Sequence, residues 1–512
     1  MNRFAKPLFA LVAMFMLVAC GFEDPDDTTA PSQDEGKTEE EQVLTIANPA
    51  DITTTDPQNN SVITTAAVLV NVYGKLLNRD AEGKIIPELA TEWGKKDDLT
   101  WSFTLREGVT FHNGDPFTAE DVKFSIERVA TDESLQEHSV FSGIESVEIV
   151  DETHVNIITK QPDPVLLSRL AGASASILPA AYFEEVGSDA FFEAPAGTGA
   201  YTFDEWNRGS GVTLGKFDDY YDGEPTWDTV HFQVVPENST RVSELLTGGI
   251  DIAFNIPTAD FERIESNEGT HVAVSPIQRV IQLWLSTQEG EPTADPAVRK
   301  AIDLAIDNQV IIDEILAGAA TATRTHISPG NFGADESLYD TYEYDPDQAK
   351  QILADAGYEG GVTVDISVNN YYTEMAEVVQ GMLADVGITA NLELIEQSQF
   401  AERLFSEDLD EGVFVGWGNT LFDASVLELF KEENVTSYSN PEVEELLEAA
   451  AYNMNEEERA AQYKQVQQIL SEDRGALYLF QLEGRYGVSD AVKYEPRLDE
   501  LYYVNEIMPA NQ

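Results

Sequence analysis

The segment "DEGVFVGWGNTLFDAS", residues 410–425, joins an apolar run to residues that can do chemistry. The run Val413-Phe414-Val415 is typical of a buried strand, and it ends at a glycine. A tryptophan, an asparagine, a threonine and an aspartate follow within seven residues of that glycine. A strand that opens into such a loop can place a catalytic carboxylate, line a ligand pocket, or turn over the core.

Compact enzyme motifs do not occur in the sequence. There is no G-x-S-x-G motif and no Walker A motif, since "GSGVTLG" at 209–215 has neither the lysine nor a following helix. With 93 Asp and Glu residues, any two carboxylates can be paired as a glycosidase acid and base, so such pairs carry no information. The six histidines are scattered and there is one cysteine. We therefore expect no catalytic residue, no cofactor and no metal site built from this chain's side chains.

The N-terminus predicts export. Residues 1–19 read as a signal peptide, because Arg3 and Lys6 precede an apolar run that is shorter than the roughly 20 residues of a membrane span. The run ends in "LVAC", which resembles the lipobox of bacterial lipoproteins and implies lipidation of Cys20; a plain signal peptide is the alternative. Residues 20–41 are acidic and polar, and are predicted to form a disordered tether. The expected location is the outer face of the cell membrane, in the periplasm if an outer membrane is present.

The formal net charge is −63 at pH 7. Such a surface repels nucleic acid and anionic lipid headgroups, so neither is an expected partner. The acidic excess is spread over every segment, which is typical of proteins that work in high salt, where self-repulsion is screened. Attraction of cationic ligands is the alternative explanation.

Strand and helix patterns alternate from residue 42 to the C-terminus, which predicts an α/β protein. "QVLTIANP" is a first strand, and "TWSFTLREGVTFHNGD" is predicted as two strands with a tight turn at Asn113-Gly114. A capping box, Thr118 to Asp121, opens a predicted helix. Two later helices are predicted to end at Gly357 and Gly387, each beside a strand. This order favours a parallel or mixed sheet covered by helices.

Four stretches together resemble one family, the family 5 solute-binding proteins of ABC importers for peptides and nickel. Residues 85–129, which include "IIPELATEWGKKDDLTWSFTLREGVTFHNGD", are similar to the family signature almost position by position. Residues 195–253 contain "PAGTGAY", with Ala200 where the family usually has proline. The other two stretches are "DPAVRKAIDLAIDNQVII", 295–312, and the 410–425 segment. The resemblance covers nearly all of the chain behind the tether.

The resemblance implies a two-lobed periplasmic-binding-protein fold, class II-like, with an extra subdomain inserted in the first lobe. Lobe I is expected at 42–271, with the insertion at about 66–188, and lobe II at 272–478. Residues 479–512 are then expected to return to lobe I. Such lobes are joined by crossing strands and close on the ligand at the hinge.

In this family the stretch that begins Gly-Trp lines the ligand cleft, so the resemblance places Gly416, Trp417 and Asn419 there. Trp417 would offer a flat apolar face to the ligand, and a core tryptophan is the alternative. Peptide-binding relatives typically have an aspartate three places after this tryptophan, which takes the ligand's α-amino group; this chain has Thr420. Asp423 either replaces that anchor or caps the helix predicted for "ASVLELF".

Six further residues are weaker candidates for ligand contacts. They are Thr55, Asp56, Gln58, Arg324, Arg485 and Gln481. The first three lie in the loop after the first strand, where relatives place cleft residues, and a simple turn is the alternative. Either arginine can bind a ligand carboxylate bidentately, or pair with the acidic surface. Gln481 lies near the returning strand and is expected to face the hinge.

These observations predict a lipid-anchored receptor that captures a small peptide-like solute and delivers it to an ABC permease in the membrane. We expect a monomer without catalytic activity, because affinity would come from closing two lobes around the ligand. A nickel chelate or another non-peptide solute is an alternative, favoured by Thr420. A cell-surface hydrolase that uses two carboxylates is the alternative from another class, and turnover of a peptide or glycan would distinguish it.

Overall fold

A computed structural model describes residues 41–406, 409–431 and 435–511. The predicted signal, Cys20 and all but the last residue of the predicted tether lie outside the described residues. Within the described part of the chain, every helix is too short or too polar to span a bilayer.

The strands and helices alternate along the chain, as the sequence patterns predict. The strands are β1 (Val43–Asn48), β2 (Leu77–Arg79), β3 (Ile85–Pro87), β4 (Ala90–Lys95), β5 (Thr100–Leu105), β6 (Ile144–Asp151), β7 (His154–Thr159), β8 (Tyr201–Asn207), β9 (Gly211–Lys216), β10 (Thr229–Val234), β11 (Ile252–Phe254), β12 (Thr270–Leu285), β13 (Ala320–Ala322), β14 (Val362–Asn369), β15 (Ile388–Ile395), β16 (Gly412–Gly418), β17 (Ala476–Ser489), β18 (Val492–Lys493) and β19 (Met508–Pro509). The helices are α1 (Ile63–Leu69), α2 (Ala119–Thr131), α3 (His138–Phe141), α4 (Leu166–Leu170), α5 (Ala180–Val186), α6 (Ser188–Glu193), α7 (Asn238–Leu246), α8 (Phe261–Glu265), α9 (Pro296–Ala305), α10 (Asn308–Glu314), α11 (Pro346–Asp355), α12 (Thr373–Asp385), α13 (Gln397–Phe405), α14 (Pro441–Ala451) and α15 (Glu456–Asp473).

An eleven-stranded mixed sheet organises the molecule, in the order β15-β14-β16-β12-β17-β11-β1-β10-β9-β8, with β13 attached to β17. The long strands β12 and β17 run antiparallel along each other through its middle. We call them the crossing strands. We call residues 41–269 and 490–511 lobe I, and residues 286–475 lobe II. The crossing strands therefore carry the chain from lobe I to lobe II and back.

The apolar run of β16 lies between two separate cores of lobe II. Val413 and Val415 belong to the core that contains Trp284 and α14–α15, whereas Phe414 belongs to the core on the opposite face. Consecutive side chains of a strand point to opposite faces, so a strand that is covered on both faces has to be apolar at every position. This explains why the sequence of β16 does not alternate.

A second, four-stranded sheet, β4-β5-β7-β6, has its own core, formed by residues between Leu76 and Ile177. The predicted capping box of Thr118 and Asp121 is confirmed at the start of α2, which packs on this sheet. In "TWSFTLREGVTFHNGD" the first predicted strand is β5, and the predicted tight turn at Asn113-Gly114 is present, since the N–H of Phe111 donates to the carbonyl of Asp115 at 2.8 Å. The second predicted strand is wrong, because the segment forms only an isolated bridge between Thr110 and Pro116. Phe111 and its neighbours instead fold back into the core. The boundaries of the lobes and of the insertion stay a prediction.

Candidate functional site

Lobe II contacts lobe I just after the end of β16. In the pairing with β12, Val280 lies opposite Trp417 and Arg279 lies opposite Gly418. The chain then leaves the sheet, and the carbonyl oxygen of Leu421 accepts a hydrogen bond of 2.9 Å from Nη2 of Arg79, in lobe I. We call residues 416–423 the interlobe loop.

Two residues of lobe I hold the tip of the interlobe loop. The guanidinium of Arg79 lies 4.6 Å from the centre of the Phe422 ring, and Gly83 packs against the same ring. Phe422 has a φ of 56°, an unusual backbone conformation for a side chain with a Cβ atom. The contact between the lobes therefore holds this loop in a conformation that the sequence alone does not favour.

Trp417 is half-buried at the edge of the lobe II core. Its ring centre lies 5.5 Å from that of Trp284, whose Nε1 donates to Oε1 of Gln282 at 2.9 Å. The indole therefore packs on the core with one part and leaves another part exposed. Trp417 thus has a core contact and an exposed face, and its role as a pocket wall stays a prediction.

Gly416 is required by a contact that the sequence does not reveal. A Cβ atom at position 416 would collide with the hydroxyl group of Tyr372, which lies across the strand at this point. Tyr372 follows β14 and precedes α12, so it reaches Gly416 from a different part of lobe II. The glycine that ends the apolar run is thus explained by side-chain packing.

Asn419 is buried, with 2% of its surface exposed, and its backbone N–H donates to the carbonyl of Gln278 at 2.8 Å. Neither Oδ1 nor Nδ2 of its side chain has a hydrogen-bond partner among the described residues. A buried polar group without a partner costs on the order of 1–3 kcal/mol. The neighbouring Thr420 is exposed.

Asp423 caps a helix, which is one of its two predicted roles. It accepts a hydrogen bond of 2.8 Å from the backbone N–H of Ser425 at the start of the 3₁₀ helix Ala424–Phe430. Both carboxylate oxygens also accept from Arg459 of α15, at 2.6 and 2.9 Å. The capping role is confirmed. The negative charge of the carboxylate is already paired with Arg459 within lobe II.

The three candidates after β1 are buried in lobe I. Arg128, at the end of α2, donates to both oxygens of Asp56 at 2.6 and 3.2 Å and to Oε1 of Gln58 at 2.6 Å. Thr55 donates its hydroxyl to the carbonyl of Phe192. In this structure these side chains anchor their own loop, and contact with a ligand stays a prediction.

The remaining candidates lie at three different places. Arg324 binds Asp303 and Ser471 within lobe II, so its guanidinium is already paired. Gln481 is buried on β17, between the carbonyl of Ile277 and the hydroxyl of Tyr339. Arg485 donates to Oδ1 of Asn255 at 3.1 Å. Burial lowers the pKa of Arg485.

A charged pair beside the interlobe loop was not anticipated from the sequence. Nη2 of Arg279 lies 3.7 Å from Oε2 of Glu500, in the C-terminal segment of lobe I. The backbone N–H of Gln278 donates to the carbonyl of Leu498 at 3.2 Å, which holds this segment against β12. No local pattern marks either residue; the scarcity of basic residues, 30 in the chain, is the only hint.

The electrostatics of this pair follow from its burial. Burial alone would lower the pKa of Arg279, but Glu500 and Tyr372 raise it above its usual value. Burial raises the pKa of Glu500, and Arg279 opposes that rise only in part. In the described part of the chain no three His, Cys, Asp or Glu side chains are grouped as metal ligands.

Comparisons with known proteins agree with this geometry. The family model for "Bacterial extracellular solute-binding proteins, family 5 Middle" matches residues 84–437. The glutathione-binding protein GsiB of Salmonella paratyphi A is 30% identical over 448 residues, which cover 83% of this chain and 86% of that protein.

Two solved structures have the same fold. DppA from Helicobacter pylori, in complex with the peptide STSA, has a TM-score of 0.77 and 26% identity, and the match covers 91% of this chain and 98% of that one. NikA from Brucella suis, in complex with Fe(III)-EDTA, has a TM-score of 0.82 and 24% identity, over 91% and 99% of the two chains. The predicted two-lobed α/β fold is confirmed by these structures.

Proposed function

Because this chain belongs to family 5 of the bacterial extracellular solute-binding proteins, we propose that it is the substrate-binding lipoprotein of an ABC importer and captures a small peptide-like solute. Family members bind solutes such as peptides or nickel chelates and deliver them to ABC permeases. The peptide-like solute, the lipid anchor on Cys20, the monomeric state and the location at the outer face of the cell membrane are parts of this proposal. The signal-like N-terminus and the "LVAC" sequence support the anchor and the location.

The side chain of Asn419 is the observation that carries the choice of a peptide-like solute. Its amide is buried two residues after Trp417, and both polar atoms are without a partner among the described residues. An asparagine amide can donate one hydrogen bond and accept another, which matches the N–H and C=O groups of a peptide. GsiB is named for binding glutathione, a tripeptide, and DppA was solved with a peptide, which supports the same class of ligand.

Capture follows from contacts that the two lobes share. The interlobe loop belongs to lobe II, but Arg79 belongs to lobe I. Arg79 donates a hydrogen bond to the backbone carbonyl of Leu421 and packs on the ring of Phe422. A ligand that touches both lobes favours the state in which these contacts are made. Binding energy is then used to close the lobes, and no chemical step is needed.

A non-peptide solute such as a nickel chelate is the second candidate. Thr420 has no charge, and the carboxylate of Asp423 is bound by Arg459. The interlobe loop therefore lacks a carboxylate that is available for a ligand ammonium group. A metal would arrive as a chelate.

Thermal unfolding of the full-length protein at high salt tests the proposal. A ligand that binds only the folded state raises the melting temperature. We expect a rise with glutathione or with di- to pentapeptides, which is smaller in Asn419→Ala and unchanged in the control Asn207→Ala, an exposed asparagine at the end of β8. A rise only with nickel-histidine would contradict the peptide proposal and favour the chelate. Cleavage of the peptides in the same samples would favour the hydrolase.

A further inference from the structure

Arg279 and Glu500 form an unusually loose pair. Their closest atoms are 3.7 Å apart, beyond hydrogen-bonding distance, although the Glu500 side chain is only 12% exposed. Five other buried or largely buried Arg–carboxylate pairs of the described residues are within hydrogen-bonding distance. They are Arg128–Asp56 and Arg459–Asp423, each at 2.6 Å, Arg474–Asp303 at 2.7 Å, Arg497–Asp499 at 2.9 Å and Arg324–Asp303 at 3.2 Å. Arg279 and Glu500 thus keep hydrogen-bonding capacity that these pairs have used.

The loose pair joins a crossing strand to lobe I. Arg279 is on crossing strand β12, directly opposite Gly418 of the interlobe loop, whereas Glu500 belongs to lobe I. The side chain of Arg279 is 34% exposed, so its guanidinium is still accessible from solvent. Tyr372, which lies across Gly416, also stabilises the charge of Arg279. Arg279, with Glu500 beside it, therefore borders the loop that the family resemblance places in the ligand cleft.

The backbone conformation of Glu500 and the burial of its carboxylate both cost free energy. Its φ is 59°, in the left-handed region, where a residue with a Cβ atom is strained by roughly 1–3 kcal/mol. Its carboxylate is buried without a close hydrogen-bonded cation, which adds a desolvation cost. Burial raises the pKa of Glu500, in agreement with this incomplete compensation. Strain and poor pairing at one residue are typical of a position that is completed by a ligand.

We propose that Arg279 and Glu500 are a two-point anchor for an α-amino-acid head group of the ligand, with Arg279 binding its carboxylate and Glu500 its ammonium group. This inference rests on the proposed function and narrows its ligand class. It selects solutes in which an ammonium and a carboxylate are carried by one carbon atom, as in γ-glutamyl peptides.

The spacing of the two anchors decides between kinds of peptide. The charged groups of Arg279 and Glu500 are 3.7 Å apart, so a head group that bridges them has to carry its opposite charges close together. In an ordinary α-peptide at least one peptide unit, about 3.8 Å between Cα atoms, separates the two charged termini. A γ-linked glutamyl peptide keeps both charges on its first α-carbon. The γ-linked isomer is therefore the better fit.

Titration calorimetry of the full-length protein with two isomers, γ-glutamylalanine and α-glutamylalanine, tests this anchor. The isomers have the same atoms and net charge, but only the γ-isomer has the α-amino-acid head group. We expect the γ-isomer to bind at least tenfold more tightly, and to lose this advantage when its amino group is acetylated. Equal affinities, or an advantage that survives acetylation, would overturn the inference even if no variant folds.

Variants assign the preference to the two residues. Arg279→Gln and Glu500→Gln should each weaken binding of the γ-isomer at least tenfold, whereas Arg263→Gln, in an exposed pair with Asp260, should not. A γ-preference that persists in both folded variants would overturn the anchor. If both isomers bind equally, the anchor fails while the peptide receptor stands. If neither isomer nor any other peptide binds and nickel-histidine does, both proposals fail.

Discussion

The guanidinium of Arg459 donates to both carboxylate oxygens of Asp423, at 2.6 and 2.9 Å, and the two side chains are only 3% and 5% exposed. The same guanidinium lies 4.6 Å from the ring centre of Phe332 and 4.9 Å from that of Tyr463. The pair fixes the end of the interlobe loop to the core of lobe II. Asp423 therefore fixes the position of this loop relative to the core of lobe II.

Replacing Asp423 by Asn should destabilise the protein without changing which ligands it prefers. Removing one partner of a buried ion pair leaves an uncompensated charge, here that of Arg459, at a cost of about 3–5 kcal/mol. Denaturant unfolding should show this loss, while Asp347→Asn, at an exposed position in the first turn of α11, should change little. If the variant instead loses affinity for a free-amine peptide and keeps it for the N-acetylated one, Asp423 is an amine anchor after all.

Trp417→Ala should reduce both stability and ligand affinity, because the indole is only half-buried. The loss of its packing on Trp284 should lower the free energy of unfolding by roughly 1–3 kcal/mol. The loss of its exposed part should weaken binding of a peptide-like ligand about tenfold or more, and Trp417→Phe should retain most of both. Lower stability with unchanged affinity would show that this tryptophan belongs to the core alone.

The contact between Phe422 and lobe I should control how long a ligand stays bound. Phe422→Ala removes the ring that packs on Gly83 and lies under Arg79, while the backbone carbonyl of Leu421 can still accept its hydrogen bond. The closed state is weakened relative to the open one, so we expect the dissociation rate to rise several-fold with a smaller change in the association rate. Stopped-flow binding measurements separate the two rates, and an unchanged dissociation rate would argue against a closing contact.

Local sequence patterns predicted the fold better than the site. The caps of α2, the strand β1 and the glycines after α11 and α12 follow from short-range preferences, and Gly357 and Gly387 have φ values of 92° and 89°. The second strand predicted after β5 was wrong because apolar residues at alternate positions, here Val109 and Phe111, also occur in a loop that inserts them into a core.

The pairs that define the site join distant parts of the chain. Arg459 reaches Asp423 from another helix, and Arg279 meets Glu500 only because the C-terminal segment returns to β12. No spacing rule connects such residues, since their contact depends on the assembled sheet. The family resemblance located the interlobe loop, but the partners of its side chains required the structure.

His326 should make the protein less stable in mild acid. The ring is 1% exposed, and its Nδ1 lies 2.6 Å from Nε2 of Gln282, an N–H donor, so this nitrogen accepts a hydrogen bond and the ring is neutral. Burial lowers the pKa of His326 to about 4, against a smaller opposite effect of the Gly418 backbone.

Between pH 6.5 and about 4 the unfolded chain therefore binds a proton at position 326 that the folded protein does not bind. Because the unfolded state gains protons as the pH falls, the free energy of unfolding decreases through this window, by about 3 kcal/mol in total.

Carboxylates titrate as well, so the measurement is a difference between two proteins. Wild type and His326→Gln are unfolded with denaturant at pH 7 and pH 4.5. Wild type should lose about 2–3 kcal/mol more than His326→Gln. The control Asn207→Ala, at an exposed residue that does not titrate, should behave like wild type. Equal losses in wild type and His326→Gln would mean that the ring is already charged, or is hydrated, in the folded protein.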